Sequence, residues 1–385
     1  DENIIKCGSF TPDGSNNADV SLGWEPQWIL WKKTNASGEW NMYDTQRGMS
    51  YAPPAILRAN ESAAEFTSGT SYLAPTATGF AWRGIGSGDI IYIAIRRPMK
   101  TPESGTEVFG MATATNTDPL FVTGLVTDLG FYKYLVNTGG VNFGTRLLEG
   151  TQLDTGTAAA EVTQTAQKFD YQNGFRDEPS PFASTQFIGY GFKRATGFMD
   201  VVAYTGNSTA GTTQAHNLGV VPELMIVKQR PYSSSWTVYN KDIGAANKLV
   251  LNSTAALASA TSAWNSTAPT ATVFTLGSLN DTNENPLAFI AYLFATVAGV
   301  SKVGSYTGTA ATLNVDCGFT ASARFILIKR TDSTGDWYVW DTTQGIVAGN
   351  SPFWQLNGGT AQVTNTDYID PLNAGFTATS NGSST

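Results

Sequence analysis

The sequence predicts an all-β protein built from tandem sandwich-like units, and three observations carry that prediction. One block of motifs returns at fixed spacing, helical periodicity is missing, and the polar surface is uncharged rather than ionic. Charged residues make up only 14% of the 385 positions, against about 25% in an ordinary domain. Thr, Ser, Asn and Gln, with 39 Gly, must therefore supply the surface and the turns. Thr and aromatic side chains pack well on a pleated sheet. No stretch keeps apolar residues at a 3.6-residue period for three turns, so long helices are not expected. The length suffices for several cores.

The repeat is the stronger signal. An apolar run ending in Lys occurs as Trp28-Ile29-Leu30-Trp31-Lys32, as Leu224-Met225-Ile226-Val227-Lys228 and as Phe325-Ile326-Leu327-Ile328-Lys329. Eight residues after each Lys comes Trp40, Trp236 or Trp337. Four residues later comes Asp44, Asn240 or Asp341, and four further on Gly48, Gly244 or Gly345. Upstream lie Gly23, Gly219 and Gly318; downstream Leu57, Leu249 and Trp354 each precede Asn60, Asn252 or Asn357 by three residues. A closing strand follows as Ile91-Tyr92-Ile93-Ala94-Ile95 and as Phe289-Ile290-Ala291-Tyr292-Leu293-Phe294. Repetition at a fixed period marks an array of like structural units.

Four units result, at 1–102, 103–197, 198–299 and 300–385. The second is divergent: it keeps a closing strand, Phe187-Ile188-Gly189-Tyr190-Gly191-Phe192, but lacks the Trp and the Lys. The fourth stops before its closing strand, so the strand is either cut away or supplied by another chain. No Pro/Ser linker separates the units, which predicts close abutment. The opening Asp1-Glu2-Asn3, without an initiator Met or signal peptide, reads as a segment or a processed product.

The repeated residues read as core and turn devices, because repetition of a structural unit repeats its core first. The Lys-terminated run is apolar at consecutive positions, which predicts a strand buried on both faces. Alternation then sets Trp337, Val339 and Asp341 on one face and Tyr338 and Trp340 on the other. The Trp is expected to anchor two sheets. Asp or Asn followed by Gly reads as a turn. Trp354 sits where other copies have Leu and reads as core. Trp264, in polar Ser262-Ala263-Trp264-Asn265-Ser266, is the candidate exposed contact residue. Cys7 aligns with Val201 and Val303 and should pack as a small apolar residue; no bridge to Cys317 is expected.

Chemistry is hard to place. The single His216 lies in a loop and has no counterpart in the other copies. No Gly-x-Ser-x-Gly elbow, phosphate loop or zinc spacing occurs. The stretch Asp281 to Asn285 has oxygen ligands that suit Ca²⁺ but reads as a solvated turn. No catalytic residue, metal or cofactor is predicted. A net charge of −8 without a basic cluster argues against nucleic acid. No apolar run is long enough to span a bilayer as a helix.

The motifs Ser305-Tyr306-Thr307-Gly308, Arg324 to Asp332 and Gly335-Asp336-Trp337-Tyr338-Val339-Trp340-Asp341 resemble a module of tailed-phage tail-fibre-like or virion structural proteins. Lys193 to Phe198 leading to Tyr204-Thr205-Gly206, and His216 to Glu223, are similar to it as well. The resemblance implies a lectin-like or SPRY-like β-sandwich, a place on the exposed virion surface and no enzymatic activity. It implies other virion proteins as partners, host-surface glycan as a ligand, and homo-oligomers with a trimer among them. A capsid-decorating or cement protein is the first alternative. A secreted carbohydrate-binding or hydrolytic protein is the second.

Overall fold

The computed structural model describes residues 3–51, 55–67, 69, 71–136, 138–177 and 183–379. Its strands fall into four sets, and two short helices are the only α-helices among the described residues. The fold is all-β, in tandem sandwich units.

The first unit sets the pattern. Its main sheet holds, in spatial order, an opening strand (Ile5–Phe10), a closing strand (Ile90–Arg96), a Lys strand (Pro26–Lys33), a Trp strand (Asn41–Asp44), a Leu strand (Ala55–Arg58) and an edge strand (Phe66–Thr67). All pairings are antiparallel. A second sheet of Asn17–Ser21, Gly79–Arg83 and Tyr72–Thr76 covers one face. Between the sheets Ile29, Trp31, Tyr43, Ile56, Phe80, Trp82, Ile90 and Tyr92 form the unit's own core. The third unit repeats the main sheet as Met199–Thr205, Ala288–Phe294, Leu224–Gln229, Thr237–Asn240, Asn247–Val250 and Ala258–Ser259. In the fourth unit Phe325–Lys329, Trp337–Asp341 and Trp354–Gln355 pair, while Leu313–Asp316, Gly375–Ala378 and Ile369–Leu372 form the other sheet. Among the described residues this unit has no closing strand beside Phe325–Lys329.

The divergent second unit has the same main sheet: Phe109–Ala114, Ser184–Phe192, Leu129–Tyr134, Asn142–Thr145, Thr151–Asp154 and Val162–Thr163. Register makes Lys133 the counterpart of Lys32, Lys228 and Lys329, so the expectation that this unit lacks the Lys is corrected. Lys133 donates to the carbonyl of Gly139, six residues on, as Lys228 does to Ser234 and Lys329 to Gly335. Val141 stands where the Trp would be. The covering sheet is reduced to isolated bridges through Phe121, Phe175 and Lys168. Phe175 lies so close over the main sheet that a Cβ at Gly130 would sit 2.8 Å from its ring. Glycines on the sheet thus replace the apolar side chains that mark the other copies.

The turn after each Trp strand is capped by the repeated acid or amide. Asp44 accepts from the Arg47 amide, Asn240 from Asp242, and Asp341 from Thr343 and Gln344. Gly48, Gly244 and Gly345 have φ of 88°, 76° and 109°, the left-handed region that favours glycine.

Candidate functional site

The repeated Trp residues do not lie between the two sheets of their own unit. Alternation along the Trp strand sends Tyr338 and Trp340 into the sandwich interior and Trp337 and Val339 to the opposite face. In the second, third and fourth units that outer face packs against a neighbouring unit. One continuous core takes Phe131, Phe143 and Tyr190 from the second unit, Ile226, Trp236 and Tyr292 from the third, and Trp337, Val339 and Trp354 from the fourth. Phe143 meets Trp236 edge-on at 5.8 Å and Tyr292 at 5.5 Å. The expected aromatic anchor is therefore corrected in place: it clamps units together rather than sheets within one.

The rim of this core is a set of main-chain bonds that recurs three times. The amide six residues after the Lys donates to the carbonyl five residues after the neighbour's Leu-strand anchor: Ser234 to Ala158 at 2.8 Å, Gly335 to Thr254 at 2.9 Å and Gly139 to Gly359 at 2.7 Å. The amide eight residues after that anchor returns a bond to the carbonyl two residues after the Lys: Glu161 to Arg230, Leu257 to Thr331 and Gln362 to Leu135, at 2.7–2.8 Å. Lys228, Lys329 and Lys133 reach the same neighbouring loops at the carbonyls of Ala158, Thr254 and Gly358. Trp236 and Trp337 donate Nε1 to the matching carbonyls of Asp154 and Val250. The third unit thus docks on the second, the fourth on the third and the second on the fourth. A head-to-tail joint that closes after three steps makes a ring with pseudo-threefold symmetry. At the joint of the second and fourth units Tyr190 donates to Asp341 at 2.8 Å and accepts from Trp354 Nε1 at 3.0 Å. Burial pushes both the Tyr190 phenol and the Asp341 carboxyl up.

The joints bury two ammonium groups. Burial pushes Lys133 and Lys228 down to about 8, with Asp154 and Asp281 pulling weakly the other way. An unfolded lysine keeps its proton to about pH 10.4. Between those values the unfolded chain binds protons the folded chain has released, so stability rises with pH. Near pH 10 the trend reverses, because unfolded tyrosines ionise there while buried Tyr204 and Tyr292 stay protonated. The urea midpoint at about pH 9.5 is expected to exceed that at about pH 7.5. Lys133→Met with Lys228→Met should flatten the difference.

The first unit attaches differently, through charge. Arg194 donates to both oxygens of Glu25 at 2.7 and 2.5 Å and to Asp200 at 2.7 Å. Arg97 reaches Asp128 at 2.7 Å, and Arg146 reaches it at 3.3 Å. Asn217 donates its amide to Asp200 and its side chain to the carbonyl of Ala77. Three carboxylates meet three guanidiniums, all of them nearly out of solvent. Burial opposes charge here, yet Asp200 and Glu25 hold the Arg194 guanidinium above its ordinary value. Burial likewise opposes the Asp128 charge, and Arg97, Arg146 and Arg194 together keep its carboxyl below the usual range. Such a neutral, mutually satisfied set is a latch between the first three units.

Other sequence candidates are placed as follows. Trp264 is fully buried, which corrects its reading as an exposed contact: it ends a one-turn helix, Thr261–Trp264, and packs edge-on to Tyr239 at 5.9 Å. His216 is buried, accepts the Leu218 amide at Nδ1 and approaches the Thr270 carbonyl with Nε2; burial lowers its pKa. Asp281 and Glu284 are taken up by Ser234 and Gln229. Cys7 and Cys317 are free thiols, and Cys7 is exposed, against the expectation that it packs. No group of three or more His, Cys, Asp or Glu suited to a metal occurs among the described residues. No helix there is long and apolar enough to cross a membrane.

Fold and joints together define a multi-unit β-sandwich protein whose repeated motif builds contacts between units. Residues 3–95 and 187–385 match the family described as a domain of unknown function, DUF7483, and the chain belongs to that family. The unmatched stretch covers most of the second unit, where Val141 and Gly156 replace the Trp and the Asn of the other copies. No curated protein and no solved structure matches the chain.

Proposed function

We propose that the chain is a non-enzymatic structural protein, an external appendage such as a fibre or spike of a phage particle, working outside the cell. The observation that carries the structural part is the use made of the repeated motif. Lys228, Trp236, Lys329 and Trp337 are spent on joints between units rather than on a cleft. The buried cluster of acids and arginines is a latch, with each acid held by an arginine. A surface of Thr, Ser and Asn on closely joined β units suits an adhesive appendage, with host-surface glycan as its ligand. The place on a virion rests on the resemblance of the repeat to tail-fibre-like modules. Labelled protein should bind host envelopes, and antibodies to it should decorate tails in electron micrographs. Decoration of the heads alone would replace this reading with a capsid-cementing one, and decoration of neither would end it.

A further inference from the structure

The first unit carries the whole joint surface of the ring and uses none of it. Its main sheet turns Ile5, Cys7, Trp28, Leu30, Trp40, Met42, Leu57, Ile91, Ile93 and Ile95 away from its own core. Ile91 is 37% exposed and Ile5 47%. Register equates Ile91 with Ile188 and Ile290, both 0% exposed, and Ile5 with Met199, also 0%. Cys7 takes the place of buried Val201, and half-buried Trp40 that of Trp236 and Trp337. An apolar sheet face of this extent marks an interaction site.

The rim is present as well. Gly38 corresponds to Ser234, Gly335 and Gly139, the amide donors of the ring; Ser62 corresponds to Ala158, Thr254 and Gly359, their acceptors. Glu65 and Thr34 match the return pair. Among the described residues the amides of Gly38 and Glu65 and the carbonyls of Thr34 and Ser62 take part in no hydrogen bond. The loop even keeps the joint's composition: Asn60-Glu61-Ser62-Ala63-Ala64-Glu65 matches Gly156-Thr157-Ala158-Ala159-Ala160-Glu161.

We propose that three copies of this chain associate through their first units, building between chains the ring that the other three units build within one. Gly38 of each copy donates to Ser62 of the next, Trp40 Nε1 reaches the carbonyl of Arg58, and the ten outward side chains close a shared core. A second copy is the fitting occupant because the surface carries both halves of a joint that closes at three. This inference rests on the joints alone, so it stands or falls separately from the place of the protein on a particle.

Sedimentation equilibrium of the full chain should give three times its 41.0 kDa mass. Ile91→Glu, at a position already open to solvent, should return the mass to one chain with an unchanged circular dichroism spectrum. Val221→Glu, 48% exposed and outside the first unit, should leave the trimer intact. In a background of Cys7→Val and Cys317→Ala, differently tagged Gly38→Cys and Ser62→Cys chains should form a disulfide dimer on mixing, and neither should do so alone. In the unaltered chain, Cys7 should lose reactivity toward a thiol reagent as concentration rises. A single-chain mass at every concentration, a two-chain mass, or a trimer that survives Ile91→Glu would overturn the proposal. So would failure of the mixed chains to cross-link.

Discussion

Arg194→Ala is expected to destabilise the protein by about 3–5 kcal/mol, the usual cost of removing one partner from a buried ionic set. The guanidinium neutralises Glu25 and Asp200 at once, and both carboxylates are out of solvent. Without it Asp200 stays buried with no cation beside it, and Glu25 keeps only Arg97, at 3.7 Å. The effect should show as a lower urea midpoint, and it should persist in high salt, which screens buried pairs little. Arg330→Ala is the matched control: its pair with Asp332 is exposed, and the midpoint should stay put. Glu25→Gln with Arg194→Met should cost less than the sum of the single changes, because each single change strands the other's charge. Acid should undo the same latch. The Asp128 carboxyl is held below its ordinary value, so its contribution is complete above about pH 3.9 and is lost as pH falls toward its folded value. Loss of Arg194 also separates attachment from folding, since the shared core of the other three units does not include Glu25 or Arg97.

The repeat was legible because side-chain identity carries it. Lys, Trp, Asp or Asn and Gly recur at fixed intervals since each unit needs the same strand end, the same clamp and the same left-handed turn. The Lys strand reads as buried on both faces, and in the third unit it is: Met225 and Val227 face its own sandwich and Ile226 faces the ring. The second unit was misread for a physical reason. Its aromatic cover lies directly on Gly130 and Gly189, so the apolar alternation that reveals a strand is absent there, and Lys133 hides in Gly130-Phe131-Tyr132-Lys133. Trp264 was misread because its neighbours Ser262 and Asn265 are polar, while a one-turn helix carries the indole inward. The rim of the ring left almost no mark. It is made of main-chain amides and carbonyls, which every residue but proline supplies; only the Ala pairs of the joint loops, Ala63-Ala64, Ala159-Ala160 and Ala255-Ala256, hint at close approach.

One motif position in two settings provides the sharpest test of what the repeated Trp is for. Trp236→Ala is expected to cost about 3–5 kcal/mol, the range for truncating a large buried aromatic. The indole is fully buried, stands edge-on to Phe143 and donates to the carbonyl of Asp154 in the second unit. Its removal opens a cavity at the joint and leaves that carbonyl without its partner. Trp40→Ala removes the same side chain from the same place in its unit, yet Trp40 is only half-buried and lies over the Lys32 ammonium at 5.8 Å. In the dilute single chain it should cost far less, because little area returns to water. Had the Trp served the interior of its own sandwich, the two substitutions would cost the same, so equal losses in urea titrations would remove the clamp as its role. The difference should also narrow with concentration for the first unit alone: an indole that joins chains adds stability that grows with the logarithm of concentration once chains join. Trp236→Ala, acting within one chain, has no such dependence.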